Sequence, residues 1–310
     1  MPTSTSLPLT KEYAFSSGFD ATEKDVAAVF QPLIYLESNP GKGTRSLMIN
    51  ALNVWLNVLP DQLESIIKVV DLLHHGSLLI DDIQDSSELR RGKPCAHLIF
   101  GVPLTIAAAH GSLGCASQEL HSLEHRHPYL RDKHISLIMT EEIQRLTFGQ
   151  GLDIFWRDNF QCPTEEEYIK MIKNSSLETG SLFRDFVRLG DIMSVYFQIR
   201  DDYMNLTSSE YTNAKGFAED LTEGKFSFPV IHSINADKSN KLVLEALESR
   251  PKTPTQKRRT LDYITNETKS LEYTRKVMSD LEGELRFEIG LLGDSLAFED
   301  MVERLHVIHT

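Results

Sequence analysis

Apolar and polar positions repeat with helical spacing along most of the chain, and no run alternates convincingly with a period of two residues. Residues 1–20 differ, because they are polar, rich in Ser and Thr and aperiodic, which indicates a loose arm. Pro-rich or charged turns separate the periodic segments, as at 250–254. With no internal repeat and no clear linker, the pattern predicts an all-α protein with a single domain over residues 21–310. The predicted helices lie near 104–122, 133–156, 165–190, 191–207 and 224–237, with two more toward the C-terminus.

The helix with the clearest start is predicted at Pro60. Asp61 and then Glu64 follow it, an order that favours a helix start with a capping-box acid. An apolar stripe with helical spacing comes next and consists of Leu63, Ile66, Ile67, Val70 and Leu73. The stripe leads into the acidic segment 81–85, so we expect those acids to lie on the same helix.

Two short clusters of acidic and amide residues lie inside apolar helical stretches, about 120 residues apart. The first aspartate cluster is Asp81, Asp82 and Asp85, and the second cluster is Asp201, Asp202 and Asn205. Residues four apart on a helix share one face, and buried carboxylates need a counter-charge. Oxygen-only ligands suit a hard cation such as Mg2+, which prefers a few carboxylates together with substrate phosphate oxygens. Two facing clusters therefore indicate a multi-metal clamp on a polyphosphate.

Composition excludes several classes of partner. The chain of 310 residues has 41% apolar and 25% charged residues and a net charge of −13, which argues against nucleic acid and against a polybasic membrane patch. Its most apolar stretch, Leu98–Ala116, contains a proline and a histidine and is expected to be a buried helix, not a membrane span. No signal peptide is visible. Because Cys95, Cys115 and Cys162 have no ligand-like spacing, we expect reduced thiols and a cytoplasmic location.

Basic residues accompany the first aspartate cluster. Arg90 and Arg91 follow it closely, His74 precedes it, and Lys42 and Arg45 lie upstream in a glycine-rich segment. An anionic substrate would have to be captured by such local cations and by metal ions, because the net charge of the whole chain repels it.

With these groups in order, the chain resembles the trans-isoprenyl diphosphate synthases, of the fungal and animal geranylgeranyl diphosphate synthase type. The resemblance covers roughly residues 25–305 and depends on several ordered motifs, which makes it more specific than a single DDxxD sequence. The matching segments are PGKGTR (40–45), LIDDIQDSSELRRGKP (79–94), HLIFGVP (97–103), FGQGLDIFWRD (148–158), YFQIRDDYMNL (196–206) and KGFAEDLTEGKFSFPVIHSI (215–234).

The resemblance implies an isoprenoid synthase helical bundle around a central cavity for diphosphate and Mg2+. It implies head-to-tail prenyl transfer, in which an allylic diphosphate ionises and isopentenyl diphosphate attacks the carbocation. The first aspartate cluster would coordinate two Mg2+ ions, and Asp201, supported by Gln198 and Asp202, would hold a third. The positions expected to contact the allylic diphosphate directly are Arg90, Lys215 and Lys225. Those expected to bind isopentenyl diphosphate are Lys42, Arg45, His74 and Arg91.

The chain departs from the family pattern ahead of the second cluster. Glu178 stands where family members carry a lysine that contacts the allylic diphosphate, and Lys173 is the nearest replacement. The connection at 190–191 is also expected to be shorter than in the family.

Small residues beneath the first aspartate cluster bear on product length. One helical turn rises about 5.4 Å, roughly the length of one isoprene unit, so each turn of a tunnel wall counts about one unit. Gly76 and Ser77, one turn from Asp81, are too small to stop the chain at fifteen carbons. Relatives that make C20 products usually carry bulky aromatic residues around the positions of Gly111, Leu113 and Gly114, and often a histidine at that of Thr147. The sequence therefore favours a deeper tunnel and a C25–C30 product, with a plain C20 synthase as the alternative.

Other functions share parts of this pattern. A class I terpene cyclase has a DDxxD cluster but a different second motif, and it needs no basic site for isopentenyl diphosphate. A non-catalytic partner subunit of a prenyl synthase tends to lose an aspartate cluster, whereas both are present here. The chain also fits the prenyltransferase half of a bifunctional terpene synthase. The family is typically homodimeric, so we expect a homodimer or a higher homo-oligomer.

Overall fold

A computed structural model gives the fold as two compact units. The first unit contains the chain up to Ile49 together with Asn57–Asp132, and the second contains Asn50–Leu56 together with the chain from Lys133. The predicted arm, 1–20, lies outside the described residues, and the single domain over 21–310 stays a prediction. The described residues are 21–175, 184–208, 212, 216–293 and 295–306.

Helices dominate the first unit, together with one short hairpin. Its elements are α1 (Glu23–Val29), α2 (Gln31–Glu37), the start of α3 (Thr44–Leu56), α4 (Pro60–Gln84), β1 (Leu89–Arg90), β2 (Lys93–Pro94), α5 (Ala96–Phe100), α6 (Val102–Arg126) and a 3-10 helix (Pro128–Lys133). Within the described residues, β1 and β2 are the only strands, and they pair antiparallel. The all-α prediction is confirmed.

All the regular secondary structure described in the second unit is helical. Its elements are the end of α3, α7 (Ile135–Asp158), α8 (Glu165–Ser175), α9 (Arg184–Thr207), α10 (Glu219–Glu223), α11 (Phe228–Ala236), α12 (Leu242–Ser249), α13 (Pro254–Asp262), a π-helix (Tyr263–Glu267), α14 (Ser270–Leu291) and α15 (Leu296–Leu305). No described helix combines the length and the apolar character that crossing a membrane requires.

The start of α4 confirms the position predicted from the sequence but corrects its chemistry. Pro60 is the first helical residue, where its missing N–H costs nothing. The N-cap is Leu59, whose side chain cannot accept a hydrogen bond, so the predicted capping box at Glu64 is wrong. The helix therefore starts without a polar cap, because the φ angle fixed by the proline ring already has the helical value.

One predicted helix boundary and one predicted number of helices are corrected by the structure. The predicted break at 190–191 is wrong, because α9 runs without interruption from Arg184 to Thr207. Its buried residues Leu189, Ile192 and Met193 keep helical spacing across the glycine at 190, so packing outweighs the low helix propensity of that glycine. Among the described residues beyond 237 there are four α-helices where the sequence predicted two.

The core of the first unit is the antiparallel pair α4 and α6. Near the start of α4, Ser65 Oγ donates to Glu119 Oε1 on α6 at 2.7 Å. Two turns further along α4, the carbonyl of Leu72 accepts a hydrogen bond from Ser112 Oγ on α6 at 2.6 Å. Leu79 on α4 is fully buried, and burying such a side chain stabilises the fold by about 1.5–3 kcal/mol. This pair holds the end of α4, where the first aspartate cluster lies.

The core of the second unit surrounds α9, which packs against α8, α11 and α14. Tyr196 Oη donates to the carbonyl of Leu305 at 3.1 Å, and Nε of Arg200 donates to the same carbonyl at 2.7 Å. Arg200, which stands next to Asp201, therefore caps the last helix and has a structural role. This anchoring fixes the helix that carries the second cluster.

Candidate active site

The first aspartate cluster lies at the C-terminal end of α4. Asp81 and Asp82 belong to its last turn, and Asp85 is the C-cap, whose N–H donates to the carbonyl of Asp81 at 2.9 Å. Asp82 is 1% exposed, whereas the side chain of Asp81 is 31% exposed. The cluster therefore presents one buried carboxylate beside two half-buried ones.

Arg90 supplies the counter-charge of this cluster. The β1–β2 hairpin carries it back over the end of α4, where Nε donates to Asp82 Oδ1 at 2.7 Å and Nη2 donates to Asp81 Oδ2 at 2.9 Å. Burial would lower the pKa of Arg90, but Asp82 and Asp81 outweigh it and raise the pKa above its ordinary value. Arg90 thus contacts the predicted metal ligands themselves, and its predicted contact with a diphosphate stays a prediction.

The donor chemistry of the cluster fits Mg2+. All the side-chain atoms of the cluster that could ligate a metal ion are carboxylate oxygens. Oδ2 of Asp82 is buried and accepts no hydrogen bond from the described residues. A buried, unsatisfied carboxylate oxygen is costly, and a hard cation would satisfy it. In the described part of the chain, however, no three His, Cys, Asp or Glu side chains converge closely enough to hold a metal ion. The carboxylates of the cluster are therefore of the right chemical type for Mg2+, but Asp81 and Asp82 are directed toward Arg90 and not toward a common metal position.

The predicted site for isopentenyl diphosphate comes together in the first unit. Arg45, in the first turn of α3, donates from Nη1 to Nε2 of His74 on α4 at 2.8 Å. Burial, followed by the positive charges of Arg45, Arg91 and Arg90, lowers the pKa of His74 to about 2. His74 is therefore neutral at physiological pH, and the positive charge of this site resides on its arginines.

Arg91 joins the same group through the backbone of the glycine-rich segment. Its Nη1 donates to the carbonyl of Asn39 at 2.5 Å, and Asn39 Nδ2 donates to the carbonyls of Arg90 at 3.4 Å and of Arg91 at 3.3 Å. A Cβ at Gly41 would lie 2.9 Å from Nη2 of Arg91, so a larger residue there would displace the end of that side chain. Lys42, next in the chain, is exposed. The structure therefore brings Arg45, His74 and Arg91 close together, and the binding of isopentenyl diphosphate by these residues and by Lys42 stays a prediction.

The second cluster lies on α9 in the second unit. Asp202 is 1% exposed, and Gln198 Nε2 donates to its Oδ1 at 3.0 Å, although the prediction had Gln198 supporting Asp201. Asn205 Oδ1 accepts the N–H of Asp220 at 3.2 Å, which ties the cluster to the start of α10. Asp201 itself is half-buried, and its predicted role as a metal ligand stays a prediction.

Lys225 approaches this cluster from the turn after α10. Its Nζ lies 3.5 Å from Asp202 Oδ1, and its side chain is 21% exposed. Burial would lower its pKa, but Asp202, Asp220 and Asp153 together raise it well above the ordinary value, so this ammonium stays charged. The other predicted phosphate contact in this region, Lys215, lies outside the described residues.

Two further predictions fall in or near the segment ahead of α9. Glu178, which replaces a lysine of the family pattern, lies outside the described residues. Lys173 Nζ lies 3.5 Å from Asp191 Oδ2, so this candidate replacement already has an acidic partner.

Two of the small residues predicted to line a deep tunnel have a packing explanation. A Cβ at Gly76 would lie 2.6 Å from Ser112 Oγ and 3.1 Å from the carbonyl of Ala109, so glycine is needed for the close approach of α4 and α6. A Cβ at Gly111 would lie 2.6 Å from the ring of Phe30, which is 2% exposed. These positions are therefore filled by neighbours from the same unit.

The remaining tunnel candidates have other environments. Gly114 lies on the exposed face of α6 with no heavy atom within 4 Å of a Cβ built there, and Thr147 lies exposed on α7. Thr147 Oγ1 donates to the carbonyl of Ile143 at 2.8 Å, and Ser77 Oγ donates to the carbonyl of His74 at 2.8 Å. Leu113 is half-buried. None of these observations gives the small residues the role of an open tunnel wall.

Sequence reasoning missed one buried side chain that reaches the second cluster. Tyr168 on α8 is fully buried, and its hydroxyl donates to Asp202 Oδ2. The only available signal was a tyrosine on the apolar stripe of a predicted helix, and buried tyrosines usually find a hydrogen-bond partner. That signal does not name the partner.

Comparison with known proteins identifies the family of this chain. The family model described as polyprenyl synthetase matches residues 26–264. A geranylgeranyl pyrophosphate synthase of Hericium erinaceus is 40% identical, over 92% of this chain and 93% of that protein. One from Mucor circinelloides f. lusitanicus is 42% identical over 90% and 93%, and one from Aspergillus flavus is 42% identical over 96% and 89%. The match spans both units, and the chain is therefore a prenyltransferase that belongs to the polyprenyl synthetase family.

Proposed function

We propose that this protein is a geranylgeranyl diphosphate synthase, which extends allylic diphosphates with isopentenyl diphosphate to a C20 product. Similar proteins at 40% to 46% identity over most of the chain carry that name, which supports C20. The C25–C30 product favoured by the sequence is not supported. It depended on small residues, and two of them, Gly76 and Gly111, are small because neighbouring helices pack against them.

In the proposed reaction the allylic C–O bond breaks and the diphosphate leaves with the electron pair. The double bond of isopentenyl diphosphate then forms a C–C bond to the allylic carbon, and the proton lost from the resulting cation passes to the released diphosphate. Bound Mg2+ would stabilise the charge that develops on the leaving diphosphate. The first aspartate cluster and Asp201 are the residues proposed to hold the metal, up to three ions in all. Arg90 and Lys225 are proposed to contact the leaving group directly.

The basic group of Arg45, His74 and Arg91 is proposed to bind the diphosphate of the second substrate. Arginine suits this task because its planar guanidinium donates two parallel hydrogen bonds to phosphate oxygens. Nε2 of neutral His74 accepts a hydrogen bond from Arg45 and so orients that guanidinium. Lys42, which is exposed, is proposed to add a further positive charge to this site.

The observation that carries the proposal is the basic group of Arg45, His74 and Arg91, which is distinct from the first aspartate cluster. A terpene cyclase binds one diphosphate and has no need for a second basic site. A synthase that joins two diphosphates needs a site for each. A non-catalytic subunit would tolerate the loss of an aspartate cluster, whereas Asp82 and Asp202 are both buried with charged partners.

Product analysis tests the proposal. The purified chain is incubated with Mg2+, isopentenyl diphosphate and dimethylallyl, geranyl or farnesyl diphosphate in turn, and the dephosphorylated products are identified by mass spectrometry. We expect geranylgeraniol from all three. Main products of C25–C30 would refute the C20 assignment. Hydrocarbon formed without isopentenyl diphosphate would indicate a cyclase, and the absence of any prenyl product a non-catalytic subunit.

The basic site has its own test. Arg45→Gln should raise the KM of isopentenyl diphosphate by about tenfold, the cost of one charged hydrogen bond, and should change that of farnesyl diphosphate much less. Arg131→Gln, at an exposed arginine of the 3-10 helix, is the matched control and should change neither. Equal effects of Arg45→Gln on both substrates would contradict the assignment.

Sedimentation of the active protein tests the proposed homodimer or higher homo-oligomer.

A further inference from the structure

Asp202 uses its whole hydrogen-bonding capacity inside the protein. A carboxylate offers about four lone-pair directions, two on each oxygen. The four donors to Asp202 are Tyr168 Oη and the N–H of Phe228 on Oδ2, and Gln198 Nε2 and Lys225 Nζ on Oδ1. A side chain that is 1% exposed and fully occupied is a structural acceptor, unlike the more accessible Asp201.

The two oxygens of Asp202 have different kinds of partner. The donors to Oδ2 are fixed, because the N–H of Phe228 belongs to the first turn of α11, at 2.7 Å, and the hydroxyl of Tyr168 is buried on α8. The donors to Oδ1 are flexible side chains, those of Lys225 and Gln198. Rotation of an aspartate carboxylate about its last torsion has only broad preferences. The pair on Oδ2 therefore sets the direction in which Oδ1 holds Lys225.

Tyr168 is built to act as a permanent donor. Burial and the negative charge of Asp202 raise the pKa of Tyr168 well above its ordinary value, so its hydroxyl keeps the proton. Its ring packs against that of Phe228 with centroids 6.1 Å apart, which restricts its orientation. Since the side chain has no exposed surface, its effect on a substrate has to pass through Asp202.

We infer that Tyr168 is a positioning residue for Lys225 and acts through Asp202 to keep the lysine ammonium directed toward the leaving diphosphate. The inference rests on the proposed role of Lys225 in binding that diphosphate. Without the hydroxyl, Asp202 Oδ2 keeps one donor of two. The carboxylate is then free to turn both oxygens toward Lys225 and to bind the ammonium more completely. Less of the positive charge of Lys225 remains available to the diphosphate.

Tyr168→Phe removes only the hydroxyl, and Tyr273→Phe is the matched control. Tyr273 also lies beside Phe228, but its hydroxyl donates to Glu165 Oε2 at 2.8 Å, away from Asp202. Binding of inorganic pyrophosphate with Mg2+ is measured by calorimetry on the full chain. Tyr168→Phe should weaken it about tenfold, the value of one hydrogen bond to a charged group, and Tyr273→Phe should leave it unchanged. The KM of farnesyl diphosphate should rise in parallel while kcat changes less.

A double variant separates positioning from a general loss of packing. In a Lys225→Gln background, Tyr168→Phe should have no further effect on pyrophosphate affinity, because the residue through which it acts is gone. Additive losses would overturn the inference, as would a Tyr168→Phe variant that has a lower melting temperature but wild-type affinity. Tyr168→4-aminophenylalanine keeps an N–H donor and should bind pyrophosphate like the wild type. A loss of about tenfold in that variant would also overturn it, including in the case where Tyr168→Phe does not fold.

The outcome is independent of the identity of the product. If the wild type makes a prenyl product and Tyr168→Phe behaves like Tyr273→Phe, the inference fails and the proposed function stands. If the wild type makes no prenyl product, the proposed function fails, whatever the variants bind.

Discussion

Nε of Arg90 donates a hydrogen bond to Oδ1 of Asp82 at 2.7 Å, and the same guanidinium reaches Asp81. The most buried carboxylate of the first aspartate cluster is thus paired with an arginine eight residues further along the chain. Arginine suits this pairing, because its fixed fork spans two carboxylates without losing its charge. The acidic cluster is therefore compatible with folding before any substrate arrives.

Replacing Arg90 by glutamine should destabilise the fold and make its stability depend on metal. Removing one partner of a buried ion pair costs about 3–5 kcal/mol, because the other charge stays buried. Urea unfolding of Arg90→Gln in EDTA should show a loss of this size, and Mg2+ should restore more of it than it adds to the wild type. The control is Arg304→Gln, whose exposed pair with Asp300 spans 3.8 Å and should contribute less than about 1 kcal/mol. Equal losses in the two variants would contradict the role of Arg90.

His74 should make stability depend on pH below neutrality. Its pKa is about 2 in the folded protein, whereas an unfolded histidine titrates near 6.5. Below about pH 6.5 the unfolded chain therefore binds a proton that the folded chain does not. The free energy of unfolding should decrease as the pH is lowered from about 6.5 to about 2, by at most about 1.4 kcal/mol per pH unit. Unfolding measured at pH 7, 6 and 5 should show a flatter dependence for His74→Asn than for the wild type. His121→Gln, at an exposed position of α6, should keep the wild-type slope. A His74→Asn protein with the wild-type slope would refute this account.

Gly76 and Gly114 should respond in opposite ways to alanine. A methyl group at Gly76 meets Ser112 Oγ at 2.6 Å, and overpacking of this kind costs about 1–3 kcal/mol. At Gly114 the methyl group meets no neighbour within 4 Å, and alanine in an exposed helix interior stabilises by about 0.5–1 kcal/mol. The urea midpoints of the two variants should therefore lie on opposite sides of the wild type. Gly76→Ala at or above the wild-type midpoint would show that α4 and α6 are not held at this distance.

Product length should be insensitive to bulk at Gly114. The residue lies on the exposed face of α6, so Gly114→Phe places its ring away from the core of the first unit. Chromatography and mass spectrometry of the dephosphorylated product should give an alcohol of the same length as the wild type gives. A shift to C15 would mean that this face borders the hydrocarbon chain, as the sequence had suggested.

Local patterns were enough to predict much of the helical architecture. Pro60 begins α4 as predicted, because a proline at a first helical position acts through its own φ angle. The segment at 104–122 was predicted from apolar spacing and lies within α6 (Val102–Arg126). The break predicted at 190–191 failed, since burial of Leu189 and Ile192 in the second unit keeps the helix continuous across a glycine. Tertiary packing there outweighs local propensity.

The sequence by itself determined the family and the local setting of the first aspartate cluster, because the ordered motifs are specific and their spacing places Asp81 and Asp85 one helical turn apart. Only the tertiary structure decided which partner each side chain takes. Asp202 meets Tyr168 across 34 residues of chain, and Gly76 is small because Ser112 lies against it. Such contacts depend on how helices distant in sequence pack against each other, and the periodicity of a single helix carries no record of the neighbour it will meet.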